Sequence, residues 1–486
     1  MFYFLVITAF MKTWKWILIS LASLAVVGGG AGWFALQSLL KDSLSKESIV
    51  QQLEAKWNCR VALEDFKAEL TSSPARLVLT NLSVAPRSDE VAKPLAQRAP
   101  IPEGTGYVHV DSATLDVDLT ALLQKKVHIK KLFVWNCYVR DDVTTEGVSQ
   151  LAELFQPPPS TAVPTAADVA PVPPSTKPEL RNNGESVKPE TAAVAPVAPA
   201  LPEAVNDMSY RVEELLLEGV IVHLRNRQSK TVNHIDDLRL RISDVDVALA
   251  DLAAHNQAKI EISGKVVSTG RARVGEVIKD VPVANFAFSG QGEVKPYDLA
   301  TKTLNPEATL IARLDKGSIF GGTTTVGQAV AKDKTFQQMK KNFGIDVSDV
   351  VLGGALQEEV VIDVNLKNSR VTFAKDTRLS FPDYVVTLRQ GSWLNAAQDD
   401  HESHLLLVPS EPVANKIMEG VKSKMGDGLS ATALGIFNDG KGKLGFDIIS
   451  TEKLSKPKFK LGGQAGQIEQ LFKGFGGGLL KGLLNQ

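Results

Sequence analysis

Only two of the 486 residues are cysteine, and aromatic residues make up 6%. Two thiols cannot staple a chain of this length, so the fold must rest on apolar burial. Lys and Arg number 54 against 55 Asp and Glu. Such a balance lacks the concentrated basic face that nucleic acid requires. The sequence has no phosphate-binding P-loop, no G-x-S-x-G and no H-E-x-x-H. The local signatures of phosphoryl transfer, serine hydrolysis and zinc proteolysis are therefore missing, and no Cys/His spacing suits zinc.

The fragments of chemistry that remain read as structure. Gly290-Gln291-Gly292 is a lone G-x-G and reads as a strand-edge turn. Asp399-Asp400-His401-Glu402-Ser403-His404 gathers carboxylates and imidazoles, but such a run is more often an exposed polar loop between strands than a cation site. Asp141 and Asp142 read as a charged strand end, because no partner that would raise one pKa for acid–base work is identifiable. The expectation is a protein that is not an enzyme and holds no metal and no cofactor. Cys59 and Cys137 recur in a tripeptide, Trp57-Asn58-Cys59 and Trp135-Asn136-Cys137. They read as two small buried hydrophobes in preference to a single bridge.

Charge is missing altogether from Trp16 to Leu40, 25 residues reading WILISLASLAVVGGGAGWFALQSLL. At ~1.5 Å per helical residue this stretch reaches ~37 Å, enough to cross a ~30 Å hydrocarbon core. Trp16, Leu18, Leu21, Leu24, Val27, Trp33 and Phe34 carry its apolar surface. Lys12 and Lys15 precede it, whereas Lys41 and Asp42 cancel after it. The positive-inside bias then predicts a cytoplasmic N-terminus and everything after residue 40 across the membrane. A cleavable signal peptide would account for Gly28 to Gly32, but the apolar run continues through Trp33, Phe34 and Leu36. Residues 1–10 lack the basic character of Met11 to Lys15, which suggests Met11 as the start.

Beyond Leu40 the chain turns periodic. Residues 41–57 predict a helix with Leu44, Ile49, Val50, Leu53 and Trp57 near one face and Ser45 with Ser48 as N-cap. Four amphipathic strands come next, with a phase slip at Asp65 that suggests a bulge. From Gln156 to about Val205 the pattern collapses, and 12 of the 24 prolines lie there. This Pro/Ala-rich segment predicts a disordered linker, with residues 160–200 dispensable for folding. Strands resume at Val212 and helices are expected at Lys334–Phe343 and Pro412–Met425. The chain ends with Ile468, Leu471, Phe472, Phe475, Leu479, Leu480 and Leu483 roughly along one helical face, interrupted by glycines. The division is an anchor at 1–40, a first β domain at 41–155, the linker at 156–205, further antiparallel sheet at 206–466 and an amphipathic tail at 467–486. At residue level, an aliphatic strand face could line a channel for acyl chains or pack on another sheet.

The order of features resembles the AsmA family of bacterial envelope proteins. The resemblance lies in the anchor followed by a helix and in KWNCRVALEDF at Lys56 to Phe66. It continues in LVLTNLSV at Leu77 to Val84, DVDLTALL at Asp116 to Leu123, VHIKKLFV at Val127 to Val134 and the closing FDIISTEKLSKPKF. Ser149-Gln150 stands where the family often has Asn, and Ser450 where Gly is common. The resemblance implies a mainly β protein with a few helices, in which a transmembrane helix precedes a long curled antiparallel groove. It further implies phospholipid transport or outer-membrane lipid homeostasis, with membrane lipids, the inner membrane and other envelope proteins as partners. Leu115, Val117, Leu119, Val360, Ile362, Val364 and Leu366 are then the groove candidates. The rival expectation is a scaffold that influences outer-membrane protein assembly or protein targeting to the membrane.

Overall fold

Strands form almost wherever apolar and polar residues alternate. A computed structural model describes residues 45–158, 209–320, 353–425 and 437–463, with short gaps and a few isolated positions between 337 and 345. The expected anchor, most of the proline-rich segment, most of the helix expected at Lys334–Phe343 and the C-terminal tail lie outside the described residues. Among the described residues no helix is long and apolar enough to cross a membrane.

Helix α1 (Lys46–Lys56) starts where Ser45 Oγ accepts from Ser48 N–H, and it buries Ile49, Val50 and Leu53. The first strands are β1 (Cys59–Glu69), β2 (Ala75–Pro86), β3 (Val108–Val117) and, after the short α2 (Leu119–Leu123), β4 (Lys126–Val143). Helix α3 (Gln150–Leu154) comes after β4. Five long strands come next: β5 (Ser209–Asn226), β6 (Thr231–Ala248), β7 (Asn256–Val274), β8 (Val277–Tyr297) and β9 (Leu304–Leu314). Shorter pieces complete the chain: β10 (Ile319–Phe320), β11 (Gly354–Ala355), β12 (Val360–Lys367), β13 (Arg370–Phe373) and β14 (Thr377–Ser380). They continue with β15 (Tyr384–Leu388), β16 (Trp393–Asn395), β17 (Asp400–Pro409), helix α4 (Glu411–Met425), β18 (Phe446–Lys453) and β19 (Lys456–Leu461).

All 19 strands belong to one sheet. Pairing runs in chain order from β1 to β9, passes to β12, β13 and β16, and ends through β17 and β18 at β19. The β10–β11 pair extends β9 along β8, and β14–β15 extends β16 along β17. The expectation of antiparallel pairing throughout needs one correction. β4 and β5 are parallel, with Lys126 opposite Ser209 and Val143 opposite Asn226. A parallel pair requires a long return connection, and the 65 residues from 144 to 208 supply it.

The slip at Asp65 is real but is not a bulge in one strand. In each of β1 to β6 the buried side chains change phase by a step of three along one line. The steps are Leu63 to Phe66, Leu79 to Leu82, Val110 to Ala113, Val134 to Cys137, Leu217 to Val220 and Ile235 to Leu238. These steps lie opposite one another: Asp65 pairs Thr80, Thr80 pairs Ser112, Ser112 pairs Trp135, and Trp135 pairs Glu218. Asn81, Asn136, Gly219 and Asp237 take positive φ along this line. That conformation turns two successive side chains to one face, and Asn, Asp and Gly tolerate it best. Because β1 and β2 slip together, their register stays unbroken. The result is a crease across six strands, with Asn136 Nδ2 donating to Asp111 Oδ2 at 3.1 Å along it.

One contiguous core links Ile49 of α1 to Leu461 of β19. Cys59 and Cys137 are buried free thiols within it. Cys137 faces Val110, which faces Leu82, which faces Leu63, four residues along β1 from Cys59. Three strand spacings of ~4.8 Å separate them, well beyond the reach of a disulfide. Burial pushes the Cys59 thiol up to about 12 and raises that of Cys137 as well.

Candidate functional site

Four neighbouring strands, β7, β8, β9 and β12, bring their apolar faces into rows. Ile260 lies beside Gly292, Leu310 and Val364; Ile262 beside Gly290, Ala312 and Ile362; Gly264 beside Phe288, Leu314 and Val360. Between these rows and Val371, Phe373, Leu379 and Leu394 runs a cleft with about 140 Å³ of free space. Phe286, Phe288 and Phe320 line one part of it, the rings of Phe286 and Phe320 stacked 5.3 Å apart. Among the described lining residues, Ser289, Gln291 and Thr377 are polar and none carries a titratable group.

The G-x-G tripeptide is a floor element here, which corrects its reading as a turn. Gly290 and Gly292 sit inside β8. A Cβ on Gly292 would lie 2.1 Å from the Thr309 carbonyl oxygen, so only glycine lets β9 approach that closely. A Cβ on Gly290 would lie 3.3 Å from Ile262 Cγ2. Ile262 thus packs over Gly290, which lets β7 and β8 close together at this row.

Of the groove candidates, Ile362 and Val364 line this cleft. Val360 is buried in the next row, and Leu366 lines a separate polar concavity instead. Leu115 is buried in the main core on β3, while Val117 packs with Ala75 and Leu119 in a small cluster of its own. The seven residues are thus not brought together. Phe286, Phe288, Ile260, Ile262, Gly290 and Ala312 were not singled out, although FAFSGQG carries the signal: aromatics alternate into glycines without a break in the strand. Trp16, Leu18, Leu21, Leu24, Val27, Trp33 and Phe34 lie outside the described residues.

The polar concavity is larger, about 790 Å³, and lies along the ends of β5 to β9 and β12. Two ion pairs form within it. Lys259 Nζ sits 2.9 Å from Asp244 and Lys367 Nζ 2.7 Å from Glu307, and each carboxylate raises the pKa of its lysine. Asp246 binds His255 Nδ1 at 2.7 Å and raises that imidazole. With both signs interleaved, this concavity presents no uniform field to a charged ligand.

Two other polar groups differ from expectation. Asp141 and Asp142 do stand at the end of β4, but both are buried, at 1% and 3%. Asp141 accepts from Ser149 Oγ at 2.8 Å and Leu151 N–H at 3.0 Å, holding the start of α3, and burial raises its pKa. Asp142 accepts two bonds from Arg140, at 2.7 and 3.1 Å. The Asp399–His404 run is not a loop, because β17 begins at Asp400 and points His401 and Ser403 inward. His401 Nε2 meets Ser450 Oγ at 2.9 Å, and burial pulls the imidazole down to about 4. Among the described residues no cluster of three or more potential ligands could hold a metal ion. No family model, curated protein or solved structure matches the chain.

Proposed function

We propose that this chain is a membrane-anchored envelope protein whose cleft binds the acyl chains of membrane lipids, as the AsmA-like order of its sequence implies. The observation that carries the reading is the lining of the cleft: aliphatic and phenylalanine side chains with no titratable group among them. Among the described residues such a wall offers no charge to a charged ligand, is polar at Ser289, Gln291 and Thr377, and elsewhere favours hydrocarbon. At ~30 Å³ per water-sized group, the free space of about 140 Å³ takes about five such groups. At ~0.8 kcal/mol per methylene they contribute on the order of 4 kcal/mol, comparable with the smallest costs of association. The reading assigns the protein no catalytic step. It places residues 16–40 in the inner membrane, the N-terminus in the cytoplasm and the sheet in the periplasm, within reach of lipids moving between membranes.

Native mass spectrometry of the full chain extracted from membranes tests this. Bound lipid should accompany the wild-type protein. Ile362→Asp places a carboxylate against the cleft, and the lipid signal should fall while the thermal transition persists. A wild-type protein that carries no lipid under any extraction condition would favour the scaffold.

A further inference from the structure

Two imidazoles meet on the face of the sheet that points away from the core. His223 of β5 stands directly across from His234 of β6, while Val222, Leu224 and Ile235 beside them turn into the core. Both rings are half-buried, so solvent reaches them from the open side. His234 Nδ1 lies 3.0 Å from His223 Nε2, and the ring centroids are only 4.1 Å apart with the planes inclined by 72°. A head-on N–H···N bond would add a ring radius at each end to the nitrogen separation. The two nitrogens therefore meet at an angle, with their lone pairs aimed off the line that joins them. At the ~2.0–2.1 Å of a metal–imidazole bond, nitrogens 3.0 Å apart subtend about 90° at a shared ion. That is the angle between adjacent positions of a tetragonal site, and the broad χ2 torsion of histidine lets each ring turn its lone pair onto the ion.

The surroundings favour ligation. Burial, and then His234, lower the pKa of His223, which leaves the pair short of protons at neutral pH, and a metal takes the neutral imidazole. Asp236, two residues along β6 from His234, acts on His223 in the opposite sense and attracts a cation. Arg140 of β4 opposes it, but Asp142 holds that guanidinium at 2.7 Å. We propose that His223 and His234 form a site for a divalent transition ion, copper above the others, with water in its remaining positions. Copper suits the tetragonal angle and stands highest in the affinity order for nitrogen ligands. The ion cross-links β5 and β6 beside the places where their register shifts, between Leu217 and Val220 and between Val220 and Val222.

The test titrates Cu²⁺ into the full chain, extracted in detergent and stripped with a chelator, in a non-coordinating buffer at about pH 7.5. Electron paramagnetic resonance counts the nitrogens on the ion. One equivalent should bind with two imidazole nitrogens, and binding should weaken at about pH 5.5, where protons compete for both rings. His223→Gln and His234→Gln should each remove one nitrogen and weaken binding at least about ten-fold. His109→Gln, which loses an imidazole paired with Asp111, should change neither. Copper should also slow hydrogen exchange in the β5–β6 hairpin. The absence of binding, or a spectrum with fewer than two nitrogens, would overturn the site. Binding that is unchanged in both glutamine variants would do so too, by assigning an adventitious ion only. The nitrogen count in the wild type decides the matter should either variant fail to fold.

Discussion

Gly219 shows what one residue can hold in a sheet of this size. It sits at φ +67 on the crease, and a Cβ there would stand 2.5 Å from Asn136 Oδ1. That oxygen belongs to the amide that donates to Asp111. Gly219→Val adds a β-branched side chain in the left-handed region, so a loss of about 2–4 kcal/mol is expected. Urea midpoints measure it. In an Asn136→Gly background the penalty should shrink, because the clash is gone while the backbone strain remains. His401 carries a second residue-scale expectation. The buried imidazole is neutral down to about 4, whereas in the unfolded chain it takes up a proton near ~6.5. The unfolded state therefore binds more protons between these values, and stability falls as pH drops from about 6.5 to about 4, by up to ~3 kcal/mol. Asp141, raised by burial from the ordinary carboxyl range, acts in the opposite sense above that range, in the lower part of the same window. His401→Gln should flatten the decline between pH 6.5 and 4.5 in urea titrations; an unchanged slope would assign it elsewhere.

At the scale of elements, the parallel pairing of β4 with β5 decides how the proline-rich connection behaves. Gln156 is tied to Asn58 by a 2.7 Å hydrogen bond, at the end of the sheet where β4 finishes. Ser209 starts β5 beside Lys126, at the other end. The ladder covers 17 residue steps (143 − 126), about 56 Å at ~3.3 Å per step. Removing residues 160–200 leaves 11 residues, 157–159 and 201–208, whose reach is about 40–43 Å. The expectation that this whole segment is dispensable therefore does not survive the topology. Deleting 160–180 should leave the cooperative transition unchanged, scrambling 160–200 should do the same, and deleting all of 160–200 should break the β4–β5 pair. Hydrogen exchange along Lys126–Val143 and Ser209–Asn226 would show the difference. Length is the requirement here, and composition keeps the connection soluble.

For the whole molecule, the continuous core from α1 to β19 means that the described elements stabilise one another across the full sheet. In the proposed envelope placement, the charge bias around residues 16–40 would set the orientation of that sheet relative to the membrane. Protease added to intact spheroplasts should degrade the bulk of the chain. Full protection would reject the periplasmic placement and with it the proposed access to envelope lipids.

Local pattern was enough to read the strands of β1 to β4, α1 with its Ser45 cap, α4 and the closing pair β18–β19. Each rests on interactions between residues near in sequence, whose periods of 2 and 3.6 are written in the chain. The same rule explains the misreadings. Asp141, His401 and Gly290 look exposed because they are polar or small, yet each is decided by a partner far along the chain or on a neighbouring strand: Ser450 for His401, Ala312 for Gly290, the start of α3 for Asp141. The crease was visible in one strand as the slip at Asp65, but a line through six strands exists only after they are in register. The cleft is a property of register too. Ile362 and Val364 are apolar in any alignment, and only pairing with Ala312 and Leu310 sets them beside an opening. Sequence determined which side of each strand would be apolar; tertiary structure decided which apolar residues pack and which leave room, because free space depends on side chains that meet across strands.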